Sequence, residues 1–317
     1  MTEPLDQKPT ELWAITSYFN PIGYRNRSEN YKVFRTHLNV PLITVELAYG
    51  SQFELEKGDA DILVQLSGGD VMWQKERLLN IALEALPPTC TKVAWIDCDV
   101  IFENTDWAVE ASSMLDRYPL IQLFEQVHYM PRDAVLETFD KGSAEALRIA
   151  FASAVASGIP AIDCLEQAID RTFGRYSVGM AWAARRELIE RHGLYDCCIL
   201  GAGDRALVSA AVGHFEHSVQ YNNMTSWERS KYLDWAKPFH EDTRAQVGFV
   251  TGDLWHLWHG SLKNRHYLDR HANMPQFAFN PTKDIEIDEN GLWRWKSPKL
   301  AFHKFVRDYF SSRNEDG

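Results

Sequence analysis

The sequence predicts an α/β protein in which helices flank a mostly parallel central sheet. Apolar, strand-like segments alternate with helical segments over residues 12–124, and parallel strands need helical crossovers of this kind. One of these strands, VAWIDCDVIF at 93–102, carries two carboxylates, Asp97 and Asp99, towards its end. An Asn290-Gly291 pair between strand-like segments also predicts a hairpin in a C-terminal extension.

Each predicted element of the first half rests on a local pattern. The first strand, 12–17, is an apolar run ended by a polar turn, and the helix at 28–38 places apolar or aromatic residues at helical spacing. The strand at 41–47 is rich in Ile, Thr and Val, and the strand at 62–66 precedes a glycine pair. The helix at 71–86 ends before two prolines, and the strand with the two acids follows it.

The second half of the chain is less regular. Its predicted elements are helices at 106–118, 144–157, 165–172, 185–192 and 204–212, a strand at 120–124 and an extended segment at 176–184. Because no internal repeat or polar linker divides the chain, one continuous domain with a C-terminal extension is predicted.

Composition and charge argue against some classes of partner. The chain of 317 residues has a net charge of -11, which disfavours a broad surface for nucleic acid or anionic membrane. Its 5 cysteines lack CxxC spacing and predict neither a disulfide framework nor a zinc ribbon. Residues 1–10 do not resemble a signal peptide, and the alanine-rich stretch 144–162 falls short of a membrane span. We therefore expect a cytoplasmic protein.

Asp97 and Asp99 form the first candidate site. Alternate side chains of an extended strand project from one face, so both carboxylates are expected to enter one crevice at the carboxyl end of the sheet. Magnesium and manganese bind through such carboxylates together with substrate phosphates. A second acid pair, Asp59 and Asp61, follows charged residues and predicts a solvated turn. Helix capping or an ion pair is the alternative for the first pair.

Four further segments stand in an order that is similar to a known superfamily. They are WAITSYFN at 13–20, WQKERLLNIAL at 73–83, SVGMAWAARRELIERHGLYD with GAGDRALVSAAVG at 177–213, and GDLWHLWHGS at 252–261. With the acid pair, the chain resembles the GT-A fold glycosyltransferases over roughly residues 12–267. The resemblance implies a GT-A-like (Rossmann-like) fold, Mn²⁺ or Mg²⁺ held by a DxD motif, and a nucleotide-sugar donor, with UDP-sugar as the default.

The same resemblance divides the chain by function. Residues 1–274 would form the glycosyltransferase domain, with a nucleotide-binding part at about 12–124 and an acceptor part at about 125–274. Residues 275–317 would be an extension packed on that domain. The acceptor would be a glycan or another hydroxyl-bearing molecule, and the oligomeric state is left open.

The resemblance also implies roles for single residues. Asp97 and Asp99 would hold the metal, with His259 as third ligand and His256 as its alternative. In an extended segment 254–260 the two histidines would face opposite ways, so only one is expected in the site. Donor contacts are expected from Thr16, Tyr18 (by stacking), Asn20, Arg25, Lys75, Arg77, Asn80 and Asp97.

Asp204 is the candidate base that deprotonates an acceptor hydroxyl. It follows two glycines, which permit close approach of a substrate, and it starts a predicted helix. An N-cap role is the alternative. Many of the enzymes that the chain resembles carry an acidic pair at this turn, where this sequence has Gly203 before Asp204. The identity of the base and the stereochemical outcome are therefore left open.

Three other functions compete with this interpretation. A haloacid-dehalogenase-like, magnesium-dependent phosphohydrolase would use Asp97 as nucleophile with Asp99 and the Gly203-Asp204 turn, but its nucleophile normally lies near the start of the chain. A nucleotidyltransferase would need a glycine-rich first loop, which is missing here. A non-catalytic carbohydrate-binding protein with a decayed site would bind a glycan without metal.

Overall fold

Two sheets and the helices around them make up the structure, a computed structural model that describes residues 11–50, 52–167, 174–266 and 269–317. The strands are β1 Leu12–Phe19, β2 Leu42–Ala48, β3 Ile62–Ser67, β4 Lys92–Ile96, β5 Val100–Phe102, β6 Leu120–Gln122, β7 Gln126–Tyr129, β8 Ala146–Ala150, β9 Tyr176–Ser177, β10 Ala181–Arg185, β11 Val247–Phe249, β12 Asp253–His256, β13 Ile285–Ile287 and β14 Trp293–Trp295. The helices are α1 Arg25–His37, α2 Lys75–Glu84, α3 Trp107–Leu115, α4 Phe151–Ala156, α5 Ala161–Gln167, α6 Arg186–His192, α7 Gly203–Ala211, α8 Phe215–Tyr221, α9 Ser226–Thr243, α10 Asp269–Ala272, α11 Pro281–Asp284 and α12 Leu300–Ser312.

The main sheet has seven strands in the order β11-β6-β10-β4-β1-β2-β3. Strands β1 to β4 pair in parallel, whereas β10 runs antiparallel to both β4 and β6. The chain moves outward from β1 to β3 and then returns to the other side of β1 as β4. Such a reversal opens a crevice at the carboxyl ends of the two strands. Here the crevice lies beside Phe19, at the end of β1, and Ile96, at the end of β4.

Apolar burial holds the helices on this sheet. Helix α2 packs against β1 and β2 and buries Leu78, Leu79, Ala82 and Leu83 at helical spacing. Each fully buried leucine contributes about 1.5–3 kcal/mol relative to exposure. The first residue of α2, Lys75, is thereby held at the crevice.

A second, five-stranded sheet has the order β5-β12-β7-β8-β9. In it β12 runs antiparallel to β5, and His256 lies opposite Val100. Since β5 begins directly after Asp99, this pairing brings the late segment 253–259 to the end of β4. The second sheet therefore carries distant residues to the crevice of the first.

The predicted α/β class, the mostly parallel sheet and the C-terminal hairpin are confirmed. The hairpin joins β13 to β14 through a turn in which Gly291 has a φ of 82°. Glycine adopts that left-handed conformation without a Cβ clash. The main chain of Trp293, at the start of β14, accepts a hydrogen bond from Asp70 N–H at 3.0 Å, which ties the hairpin to the start of the α2 region.

Two predicted helices differ from the structure. Residues 146–150 of the predicted helix at 144–157 form β8, because they pair with β7, and only α4 is helical. Pairing in a sheet here outweighs the helical preference of the alanines. Helix α2 begins at Lys75 rather than at 71. Trp73, inside the predicted helix, instead donates its main-chain N–H to Ile199 O at 2.9 Å. Part of the predicted helix at 165–172 lies outside the described residues.

A buried ion cluster fastens the residues after α12 to the start of α1. Glu315 is 1% exposed, and its carboxylate accepts from Arg27 at 3.0 Å, Arg265 at 3.2 Å and Arg313 at 2.5 Å. Asp316 accepts from the first main-chain N–H groups of α1. Burial alone would raise the pKa of Glu315, but Arg27 and Arg265 hold it at about 2. This segment therefore covers one flank of the crevice.

No helix among the described residues is both long enough and apolar enough to cross a bilayer.

Removing Glu315 should destabilise the fold strongly. Glu315→Ala leaves three guanidinium groups buried around an empty position, so we expect the free energy of unfolding to fall by about 3–5 kcal/mol in urea titrations. Asp308→Ala is the control, because its ion pair with Lys304 is 56% and 67% exposed. It should change stability by less than about 1 kcal/mol. Equal effects of the two substitutions would contradict the assignment.

Glu228 should make stability fall as pH rises. It forms a capping box with Thr225 at the start of α9, and burial raises the pKa of its carboxyl group to about 7. The folded state then holds a proton that the unfolded state has lost above about pH 4.5, so unfolding becomes easier as pH rises towards 7. Glu228→Gln keeps the capping geometry and should gain about 1–3 kcal/mol over the wild type at pH 8 relative to pH 5. Glu289→Gln, on the surface, should run parallel to the wild type.

Candidate functional site

Three side chains form a group with the geometry to hold a metal ion. One ligand atom from each of Asp99, His256 and His259 lies within 4.8 Å of the other two. His259 Nδ1 is 2.7 Å from Asp99 Oδ2, and His256 Nε2 is 3.7 Å from Asp99 Oδ1. Asp99 Oδ1 is buried and has no hydrogen-bond partner, as expected of an oxygen that serves as a cation ligand. The residues present therefore fit a divalent metal.

The main chain explains why both histidines reach this group. Leu257 N–H donates to Asp99 O at 2.8 Å, which fixes the histidine segment on the turn after β4. Strand β12 ends at His256, so strict strand alternation does not apply to residues 257–259, and His259 lies on the same side as His256. The two rings meet edge to face, with centroids 4.5 Å apart. The structure therefore brings both histidines to Asp99, where the sequence predicted only one.

The charge states of Asp99, His256 and His259 suit the binding of a cation. Burial lowers the pKa of His256 to about 3, and burial together with the charge of Arg265 lowers the pKa of His259. Both imidazoles are thus neutral at neutral pH and can offer a nitrogen lone pair. Burial alone would raise the pKa of Asp99, but the two histidines hold it well below its usual range. Two imidazoles and one carboxylate suit a transition-metal ion better than magnesium.

Asp97 lies in a second group, around Lys75. Lys75 Nζ is 2.6 Å from Asp97 Oδ1 and 3.0 Å from Asp204 Oδ2. Burial would lower the pKa of Lys75, but Asp204 and Asp97 raise it well above its usual value. The two acids are about a quarter exposed, so the ammonium bridge faces the crevice.

The acid pair is therefore divided between two groups. β4 ends at Ile96, and residues 98 and 99 form a turn, so the alternation of an extended strand does not apply there. Asp97 N–H donates to Met180 O at 2.8 Å, which directs its side chain towards Lys75. A role for Asp97 as metal ligand remains a prediction, as does the DxD motif.

Asp204 does not cap its helix. The N-cap of α7 is Ala202, which has a φ of 76° and no side-chain cap. A non-glycine residue in that conformation costs on the order of 1–3 kcal/mol and is typical of functional sites. Gly179 allows the close approach of Asp204, because a Cβ there would lie 2.8 Å from Asp204 Oδ2.

Several predicted donor residues line or support a cavity of about 310 Å³ at the ends of β1 and β2. Asn20 donates to Glu54 at 3.0 Å, and the Tyr18 hydroxyl donates to Glu54 at 2.5 Å. The Tyr18 ring is 1% exposed and packs on Tyr31, so it offers no free face for stacking. Thr16 is buried and donates to Ile96 O at 2.6 Å, which joins β1 to β4.

Three further predicted donor residues, Arg25, Arg77 and Asn80, bind partners outside this cavity. The Arg25 side chain is 80% exposed and pairs with Glu29. Arg77 binds Asp196 at 3.2 Å, and Asn80 holds the main chain of Leu194 through both amide atoms. Arg77 and Asn80 thus stabilise the 193–196 turn, and their donor contacts remain predictions.

Sequence reasoning missed Glu54 and Glu76. Glu54 lies in an acidic stretch that predicts only a solvated turn, and its place at the mouth of the cavity depends on folding of 52–55 over β2. Glu76 is buried beside Gly203 of α7. The sequence gives little signal for Glu76, which is one of three consecutive charged residues, with Lys75 and Arg77, at the start of α2.

Comparisons with protein-family models and with curated proteins find no match. Among solved structures, the catalytic domain of Drosophila β1,4-galactosyltransferase 7 with xylobiose is 11% identical, with a TM-score of 0.35, and the match covers 75% of this chain and 64% of that one. The chain thus spans less than two thirds of that fly structure.

Two other matching structures are of enzymes named for different reactions. Glucosyl-3-phosphoglycerate synthase from Mycobacterium tuberculosis, with Mn²⁺, UDP and phosphoglyceric acid, is 13% identical, with a TM-score of 0.37, and the match covers 78% of this chain and 71% of that one. The 4-diphosphocytidyl-2C-methyl-D-erythritol synthase of Anaerococcus prevotii is 10% identical, with a TM-score of 0.30, covering 76% of this chain and 88% of that one. Likeness at this level carries no assignment of activity, and the fold class rests on the strand order itself.

Loss of a proposed ligand should weaken metal binding. We expect Asp99→Asn, His256→Ala and His259→Ala each to lower Mn²⁺ affinity by about tenfold to a hundredfold in calorimetric titrations without nucleotide, since each removes one of three ligands. His128→Ala is the control, because His128 pairs with Asp253 at 2.8 Å in the second sheet, outside the group. Unchanged affinity in all three variants would rule out this site.

Proposed function

We propose that this chain is a metal-dependent glycosyltransferase that moves a sugar from a nucleotide diphosphate, UDP-sugar first, to a hydroxyl-bearing acceptor. The observation that carries the proposal is the convergence of Asp99, His256 and His259 beside the Lys75 bridge at the carboxyl ends of β1 and β4. A bound divalent ion would neutralise charge on the leaving diphosphate. The free thiols are consistent with the predicted cytoplasmic location, which is part of the proposal.

Each group of side chains has a separate role in the proposed reaction. Asp99, His256 and His259 hold the cation, and the cavity beside Asn20 and Glu54 takes the nucleoside. The bond between the anomeric carbon and the diphosphate oxygen breaks, and the acceptor oxygen bonds to that carbon. Asp204, about a quarter exposed at the crevice, takes the proton from the acceptor hydroxyl.

Lys75 and Asp97 prepare this step. The Lys75 ammonium orients the Asp204 carboxylate and reduces the repulsion between that carboxylate and the donor phosphates. Asp97 holds the ammonium in place and remains exposed enough to bind ribose or a metal-bound water. The proposed machinery therefore joins residues from four parts of the chain.

The geometry disfavours the phosphohydrolase. That reaction would use Asp97 as nucleophile and hold magnesium at the Gly203-Asp204 turn, yet Lys75 binds both Asp97 and Asp204. No comparable observation favours a nucleotidyltransferase or a carbohydrate-binding protein. The experiment below separates all of these functions.

A panel of donors should show metal-dependent binding and slow turnover. In Mn²⁺, one or more of UDP-glucose, UDP-galactose, UDP-GlcNAc and GDP-mannose should raise the melting temperature by a few degrees, corresponding to about 2.7 kcal/mol at a hundred times Kd, and chelation should remove the shift. Asp99→Ala should also remove it, whereas Asp61→Ala, in the second acid pair, should not. Asp204→Asn should keep donor binding and slow release of nucleotide from the donor by about 10²–10⁴-fold.

Each rival predicts a different result on the same panel. The phosphohydrolase would hydrolyse p-nitrophenyl phosphate and lose that activity in Asp97→Asn, with no shift from any nucleotide sugar. A nucleotidyltransferase would respond to nucleoside triphosphates and release pyrophosphate. A binding module would be stabilised by a glycan in the presence of chelator. Any of these outcomes would overturn the proposed function.

A further inference from the structure

Glu76, on helix α2, packs against Gly203, the first residue of α7. Its side chain is buried, with the residue 5% exposed, and its carboxyl group lies where a side chain at position 203 would stand. A Cβ added to Gly203 would overlap the Glu76 carboxyl group and lie 2.8 Å from its Cγ. Gly203 is not in the left-handed conformation, so this glycine provides space rather than backbone freedom.

The position of this carboxyl group is chemically distinctive. Gly203 is the first residue of α7 and directly precedes Asp204, the proposed base. Glu76 directly follows Lys75, whose ammonium binds Asp204 through both oxygens at 3.0 and 3.1 Å. Helix α2 thus delivers an ammonium and a carboxyl group side by side to the same turn, and the turn itself lacks a second acid.

The charges around Glu76 come from three elements. Lys75 on α2, Asp204 on α7 and Asp97 after β4 all act on it, and the thiol of Cys198 lies close enough to be influenced by it. Burial raises the pKa of Glu76 to about 8, Lys75 opposes this, and Asp204 adds to it. At neutral pH the carboxyl group is therefore mostly protonated and adds little negative charge beside the base.

We propose that Glu76 is a positioning residue for Asp204: from helix α2 it fills the space that Gly203 leaves, and it sets the geometry and charge in which Asp204 meets the acceptor hydroxyl. The proposal rests on the proposed function. It assigns Glu76 no contact with donor or acceptor, since the carboxyl group acts through Asp204 and Lys75.

The test uses Glu76→Gln, which fills the same space without an ionisable proton. With Mn²⁺ and whichever donor of the panel the wild type turns over, water serves as acceptor and nucleotide release gives the rate. Because Gln matches the protonated carboxyl group in shape and charge, we expect kcat at pH 7 and the KM for donor to stay within about twofold of the wild type. A change of rate near pH 8 in the wild type should be absent from the variant, because the titrating group is gone. Glu84→Gln, exposed on the same helix, is the matched control and should match the wild type.

A second, independent test moves the carboxylate from position 76 on α2 to position 203 on α7. Glu76→Ala opens the space beside residue 203, and adding Gly203→Glu returns an acid to it from the other side. We expect Glu76→Ala, which leaves that space empty, to lower kcat about tenfold or more, and the double variant to recover about a third or more of the wild-type kcat. Gly203→Ala alone should lose activity and stability, because its Cβ displaces the Glu76 carboxyl group.

The outcomes separate this inference from the proposed function. If the wild type turns over no nucleotide sugar, both fail. If the wild type is active but Glu76→Gln keeps the wild-type pH profile, or Glu76→Ala keeps the wild-type kcat, the inference fails alone. Parallel loss of melting temperature, donor affinity and turnover, with no recovery in the folded double variant, would reduce Glu76 to a packing role and would also overturn it.

Discussion

Two main-chain hydrogen bonds on either side of Cys98 hold the candidate site together. Asp97 N–H donates to Met180 O, and Asp99 O accepts from Leu257 N–H, each at 2.8 Å. The first fixes the turn after β4 to the strand that leads towards Asp204, and the second fixes it to the histidine segment. Together with the pairing of β12 with β5, they hold both groups at the reversal of the strand order, although Asp204 and the two histidines lie roughly a hundred or more positions from Asp97 and Asp99.

These bonds also keep apart two groups of side chains that need different protonation states. A cation needs neutral imidazoles and an ionised carboxylate, and burial with the adjacent histidines provides that around Asp99. A base needs a carboxylate held in place but still reachable, which the Lys75 bridge provides for Asp204. One turn of two residues thus separates Asp99 and the two histidines, the proposed metal side of the crevice, from Lys75 and Asp204, the proposed acceptor side. Glu76 lies behind the second group, beside Gly203.

The residues after α12 complete the frame. Arg265 links the main chain of His259 to Glu315, and Arg27 links α1 to the same carboxylate. The metal side is therefore braced by a buried ion cluster whose members are distant in sequence. Such clusters contribute geometry more reliably than net stability, because desolvation offsets much of the attraction.

Local patterns in the sequence were enough to predict most strands of the main sheet, although not β11, together with the acids at the end of β4 and the hairpin. Strand alternation, prolines and Asn-Gly are local signals. Tertiary structure decided which side chains meet. It placed Asp97 with Lys75, joined His256 to His259, turned Arg77 and Asn80 towards the 193–196 turn, and buried Tyr18. It also converted residues 146–150 of a predicted helix into β8 and brought Glu76 to Gly203. The physical reason is that periodicity fixes the direction of a side chain only within its own element, whereas its partner depends on sheet pairing and on the space that neighbouring residues leave.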